Sequence, residues 1–411
     1  MIKWLPFLTA FFIPIHPRMS ALTLGVWLIG AVAHEVWIRL KPNEAVGNAA
    51  HQGSFTRSTW WFATGSMLMY LFYGLAVLWS ADLDSAWFAM EVKFSMLLVP
   101  LLMFHQRWRF GEGWAPLAVN GFLLGLVLFM MWRFGNAMVV GDFASWRYDG
   151  LAGPFHPTYM GMYLTIAAIL APVDKHWKMA MMVIGGLFVG LLASKAAWLI
   201  AGGIWALAAL ISLKSNRRQS IALVLALVAM AMGAMIGDGG RWSELQGYLI
   251  SEEVAPTLAM DGGVPTAIEL MPSQEVKVGS SAGRVQAWQA SAEIMGRKPF
   301  GVGTGDVTEA LAERYQANGA EYALEKNMNP HSVWLQIGVS HGWPGLLLMI
   351  MWWGGTVWAA RKHANRVLLF WSAIWLLNGS IESLLELQQG VVPTIFLTLL
   401  FAELWRAPSR G

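Results

Sequence analysis

The chain has 411 residues; 56% are apolar or aromatic, 13% are charged, none is cysteine, and the net charge is +3. A soluble globular chain reaches only ~45–50% apolar with glycine included, and carries ~25% charged residues. The composition excludes an ordinary cytosolic enzyme, a disordered chain, a disulfide framework and a thiolate metal site, and the near-balance of charge argues against a nucleic-acid binder; what remains is a polytopic membrane protein.

Apolar runs between charged or turn-rich breaks predict about twelve transmembrane helices, since ~20 apolar residues cross the hydrocarbon core. They fall near 4–16, 20–38, 58–80, 86–104, 113–134, 157–172, 177–193, 195–213, 219–237, 343–360, 367–382 and 390–405. Met1–Ile15 carries one Lys but shows no small-residue cleavage site before His16-Pro17-Arg18, so it is read as a retained first span. The predicted fold is an all-α polytopic membrane bundle with one large outer loop domain between spans nine and ten. Its divisions are 1–237 for spans one to nine, 238–342 for the loop domain, and 343–411 for spans ten to twelve and the tail.

Sorting the breaks alternately puts Lys3, Arg39, Lys41, Arg57, Arg107, Arg109, Lys175, Lys178, Lys214, Arg217, Arg218, Arg361, Lys362, Arg366, Arg406 and Arg410 on the side of the termini. The short breaks on the other side hold only Arg18, Arg133, Arg147 and Lys195. By the positive-inside rule both termini are expected in the cytoplasm. The long segment Asp238–Pro330 then lies outside, with 13 Asp/Glu against 7 Lys/Arg. Many of the 24 Trp are expected at the membrane interfaces. Glu91 and Lys93, inside span four, are expected to pair or to face a cavity, because buried charge is costly.

Within the outer segment, Gly239–Lys277 reads as irregular or partly helical. Ser280-Ser281 is suited to cap a helix in which Val285, Trp288, Ala292 and Met295 form one apolar stripe. Arg284 falls in its first turn, the unfavourable end for a cation unless an anion sits in front of it. A surface Arg paired with a nearby Glu is the simpler reading of the position alone. Pro299-Phe300-Gly301-Val302-Gly303-Thr304-Gly305 lacks the ending of a nucleotide P-loop and reads as a tight turn. His331 opens a helical run after Asn329-Pro330, and Gly342-Trp343-Pro344-Gly345 breaks the chain and launches span ten.

His331-Ser332, then nine residues, Gly342, two residues and Gly345 together resemble the signature of the O-antigen ligase family, in the wider O-antigen ligase/polymerase superfamily. The likeness includes Gly283-Arg284-Val285-Gln286-Ala287-Trp288 and Lys298-Pro299-Phe300-Gly301-Val302-Gly303. It extends to Gly153-Pro154-Phe155-His156-Pro157-Thr158 and, near the end, to Glu382-Ser383. Ser194-Lys195 resembles a Ser-Arg of relatives; here Lys keeps the charge but not the planar fork.

The resemblance implies a glycosyltransferase of the bacterial inner membrane, with its active site on the periplasmic side. It implies transfer of a glycan from undecaprenyl diphosphate to an acceptor hydroxyl, lipid A–core in ligases, with no cofactor, no metal and no nucleotide. A related polymerase or protein O-oligosaccharyltransferase would use the same donor with another acceptor. The expected partners are the carrier-linked glycan, the acceptor and membrane lipid. An imidazole titrates near working pH, which suits His331 as the base. Arg284 would clamp the diphosphate. Lys195, Arg147, His156 and Glu382 are further candidates for holding the diphosphate or the acceptor.

Two rival readings come from other classes. Asp82-Leu83-Asp84 offers a DxD for a metal-dependent transferase, although Asp82 is also placed to cap a helix. A twelve-span transporter is permitted by the count, but its long loop would fall mid-chain.

Overall fold

A computed structural model describes residues 4–40, 55–106, 113–171, 173–237 and 280–404. Lys3, Lys41, Arg107, Arg109, Arg406, Arg410 and the stretch Gly239–Lys277 lie outside the described residues. The described chain is helical without a strand: α1 Trp4–Phe12, α2 Pro17–Leu40, α3 Arg57–Ala76, α4 Leu83–Lys93, α5 Ser95–Gln106, α6 Trp114–Val140, α7 Tyr148–Ala152, α8 Pro157–Leu170, α9 His176–Leu191, α10 Lys195–Ser212 and α11 Arg217–Gly237. After the undescribed stretch come α12 Ser280–Arg297, α13 Val307–Ala317, α14 Glu321–Glu325, α15 Val333–Lys362, α16 Arg366–Gly379 and α17 Gln388–Leu404.

Seven segments among the described residues are long and apolar enough to cross a membrane: Pro17–Trp37, Arg57–Trp79, Leu83–His105, Trp114–Val140, Lys195–Ser212, Arg217–Gly237 and Val333–Lys362. Four shorter apolar helices accompany them, Pro157–Leu170, His176–Leu191, Arg366–Gly379 and Gln388–Leu404. At 1.5 Å per residue a 14-residue helix spans about 21 Å, short of the ~30 Å core. The nine residues of α1 reach about 14 Å. The chain is therefore a multi-pass helical membrane protein, with seven candidate spans of crossing length among the described residues, where the sequence reading expected about twelve.

Small residues let these helices approach closely. A Cβ on Gly186 or Gly190 of α9 would collide with the α11 backbone at Ala226 and Met230, and one on Gly233 would meet Leu187 O. Lipid offers no hydrophobic drive between helices, so such close van der Waals contact supplies much of the association.

Tryptophan does more than anchor the interfaces. Trp27, Trp205, Trp352, Trp353, Trp371 and Trp375 are fully buried. Trp353 stacks on Trp375 with ring centroids 3.8 Å apart. Trp371 and Trp375 donate their indole N–H groups to Thr398 and Thr394 hydroxyls at 2.7 and 2.8 Å. A buried indole N–H needs an acceptor, and the threonines of α17 supply it.

A second, smaller core covers one end of the bundle. It joins Ala287, Ala290, Ile294 and Met295 of α12 to Val307, Leu311 and Tyr315 of α13, Ala320 and Ala323 near α14, and Val339 of α15. The buried face of α12 is thus the alanine side. Trp288 and Ala292 of the expected stripe are exposed. Met295 of the stripe is buried and packs against Gly338 of α15, where an added Cβ would collide with it.

Candidate functional site

Two sequence segments interlock to build the site. In the Lys298–Gly305 turn, Val302 and Gly303 donate their N–H groups to the carbonyls of Val339 and Ser340 at 2.9 and 3.0 Å. Trp343 N donates to Pro299 O at 2.9 Å in return. These contacts need a break in α15, and Gly342 provides it with φ 64° and ψ −158°. A Cβ there would strike the Pro299 carbonyl. The turn is fixed on its other side as well. Thr304 donates to Tyr73 O at 2.7 Å, and the Asp306 carboxylate accepts from Ala81 N and Asp82 N at 2.8 and 2.7 Å.

His331 stands just ahead of α15, at φ 45°. Left-handed backbone is sparsely populated by residues with a side chain and costs on the order of 1–2 kcal/mol. The conformation is held from both sides. His331 N donates to Asn329 Oδ1 at 2.8 Å, and Ser332 N donates to Ser383 Oγ at 3.2 Å. Trp334 Nε1 adds a bond to Ser380 Oγ at 3.3 Å.

Glu382, in the connector between α16 and α17, receives both candidate catalytic groups. Arg284 Nη2 donates to its Oε1 at 2.9 Å, while Arg284 Nη1 donates to Ile381 O at 3.0 Å. His331 Nδ1 lies 3.5 Å from Oε2, at ion-pair distance without the geometry of a hydrogen bond. The Glu382 side chain is 10% exposed, against 29% for Arg284 and 27% for His331, so the carboxylate sits behind and the two nitrogen groups open outward. Burial pushes the Glu382 carboxyl up, but His331, the Arg284 guanidinium and His156 outweigh it and hold it below its ordinary value.

His156 caps α8, its Nδ1 accepting from Thr158 N at 3.4 Å. Burial lowers its pKa against the pull of Glu382 and Asp149, while Arg284 and His331 lower it further. Lys195 opens α10, capped by Ser194, whose Oγ lies 3.4 Å from Thr158 Oγ1. The two helix starts therefore adjoin, and Lys195 has no carboxylate partner among the described residues. Arg147 goes elsewhere: its guanidinium lies over the Phe143 ring at 4.9 Å.

A second ion pair lies in the same connector. Lys93, 1% exposed, donates to Glu386 at 3.0 Å and sits 4.8 Å from the Tyr73 ring centroid. Glu91 of the same helix is exposed. Asp82 caps α4, accepting from Ser85 N at 2.9 Å. Sequence reading gave no role to Asn329 and Ser383, which fix the His331 backbone. Asn-Pro is a turn signal that marks the first of them.

The described residues define a helical, multi-pass membrane protein carrying an arginine–carboxylate–imidazole cluster between helices. Residues 180–350 match the family described as O-antigen ligase, which supports assigning the chain to the O-antigen ligase family. That family suggests a glycosyltransferase-like enzyme of ligase or polymerase type, with a polyprenyl-linked glycan and a glycan acceptor as its general partners. The matched stretch contains Lys195, Arg284 and His331; Arg147, His156 and Glu382 fall outside it. A search of curated proteins found no match.

Proposed function

We propose that the protein transfers a glycan from undecaprenyl diphosphate to an acceptor hydroxyl of lipid A–core, at the periplasmic face of a bacterial inner membrane. In this reading the chain crosses about twelve times, both termini are cytoplasmic, and residues 238–342 form the periplasmic loop domain. The observation that carries the reading is the meeting of Arg284 and His331 on Glu382. A carboxylate facing Nδ1 favours the proton on that nitrogen and leaves the lone pair on Nε2, the form a general base needs.

The acceptor hydroxyl gives its proton to His331 Nε2 as its oxygen bonds to the anomeric carbon. The bond from that carbon to the diphosphate breaks, its electron pair leaves with the diphosphate, and the configuration inverts. Arg284 has five N–H donors and uses two within the protein, so three remain for phosphate oxygens. Lys195 and His156, on the adjoining helix starts, extend the site towards the same headgroup. The diphosphate linkage already stores the driving force, so no nucleotide, cofactor or metal has a step.

The test is transfer by purified protein, with carrier-linked glycan and lipid A–core and with no nucleotide or added metal. A larger core species with an inverted linkage is expected. Elongation of carrier-linked glycan instead of core, or transfer that stops with chelator and returns with Mg or Mn, would contradict the proposal.

A further inference from the structure

A groove of about 410 Å³ opens between α6, α8 and α9, lined by Leu123, Val127, Leu164, Ala168, Met182 and Gly185. This volume lies in the ~300–1,000 Å³ range of ligand sites. It touches the last turns of α8, whose first residue adjoins His156. At 1.5 Å per residue the groove therefore sits some 12–20 Å along the helix from His156. Leu124, 46% exposed, lies on its rim and belongs to the candidate span Trp114–Val140. The opening is therefore presented to hydrocarbon rather than to water.

The mouth has a different character. Trp177 and Lys178 close it, with Trp177 59% exposed. Lys178 pairs with Asp174 at 2.7 Å and lies 5.7 Å from the Trp177 ring centroid. Arg218 Nη1 donates to Asp174 O at 3.2 Å, which brings the α10–α11 turn against this one. Gln219 ties the junction from below, donating to Ala168 O at 2.9 Å and accepting from Val173 N at 3.1 Å. Lys175 and Lys178 act on the Asp174 carboxylate and Arg218 holds its carbonyl, so three basic residues gather about one acidic residue.

We infer that this groove binds an anionic phospholipid of the leaflet it faces, one acyl chain lying along α6 and α8 and the phosphate held by Lys175 and Lys178. An apolar trough of this depth takes a chain, an exposed Trp marks the headgroup level, and excess basic charge there selects anionic over zwitterionic headgroups. The site is separate from the proposed transfer reaction and does not rest on it.

Native mass spectrometry of the delipidated full-length protein, titrated with phosphatidylglycerol, phosphatidylcholine and undecaprenyl phosphate, reads the site directly. One phosphatidylglycerol should be retained at least tenfold more tightly than phosphatidylcholine. The double substitution Lys175→Gln with Lys178→Gln should abolish that preference. Gly185→Leu should remove retention of either lipid, because a Cβ at Gly185 has only the Leu164 Cδ2 atom nearby, at 4.0 Å, and a longer side chain would enter the groove. Gly185→Ala serves as the folding control, and the charge variant decides alone if Gly185→Leu does not accumulate. Equal retention of the two phospholipids, or a preference that survives the charge variant, overturns the inference. Displacement of phosphatidylglycerol by undecaprenyl phosphate from the wild type also overturns it, and assigns the groove to the carrier tail.

Discussion

Arg284 donates to Glu382 at 2.9 Å across 98 residues of chain, and Glu382 turns its second oxygen towards His331. One carboxylate thereby sets the position of two groups from different helices. Glu382→Gln keeps the shape but removes the charge, so it should lower transfer by ~10-fold or more. The pH dependence follows from its sign. The folded carboxyl lies below its ordinary value, so its stabilising contribution is full above the unfolded value near ~4.3 and fades as pH falls through the folded one. Wild-type stability should therefore drop more steeply on the acid side of pH 4 than that of Glu382→Gln, measured by thermal unfolding in detergent. Parallel acid limbs would contradict this.

Arg284→Lys replaces a two-pronged donor with a point charge. Lys has three donors to the five of Arg, so holding Ile381 O and Glu382 together would leave one outward instead of three. Transfer should fall by ~10–100-fold with protein abundance unchanged, since the residue is partly exposed and packs no core. Steady-state transfer rates beside immunoblotted protein amounts check it; a wild-type rate would remove the guanidinium from the site.

Lys93 and Glu386 behave as a buried pair. Lys93→Met leaves the Glu386 carboxylate uncompensated and should cost about 3 kcal/mol, the low end for buried pairs because Glu386 keeps some contact with solvent. Adding Glu386→Gln should recover much of that loss. A double variant no more stable than Lys93→Met alone would show that the two charges are not coupled.

Gly342→Ala should destabilise by about 1–3 kcal/mol, because φ 64° with ψ −158° belongs to a region essentially reserved for glycine. The added methyl also strikes Pro299 O, so the Lys298–Gly303 turn must shift. Transfer should fall together with the melting temperature. Unchanged values for both would mean that α15 is not held in this kink.

The helical class was legible from composition, and a glycine spacing that resembles a family signature singled out Arg284 and His331 as candidates. Gly342 explains why such spacing is readable: a helix break pressed against a carbonyl admits one residue type. Glu382 was visible as a polar residue near a span end, but its bridging position depends on how three distant segments pack, which no local pattern records. The same holds for Glu386, which reaches Lys93 across 293 residues. Many tryptophans were expected as interface anchors, but hydropathy does not distinguish lipid from a neighbouring helix and could not single out the six that are buried. Helix length was also misjudged: apolar runs continue through turns, so a run near 4–16 contains a helix of only nine residues.

His331 offers the most direct test of the central claim, because its φ of 45° suits glycine. His331→Gly removes the imidazole while relieving the backbone, so the melting temperature should hold or rise. Transfer of glycan in the purified assay should fall by ~10²–10⁴-fold and return in part when free imidazole is added. A His331→Gly protein that transfers glycan at the wild-type rate would contradict the account.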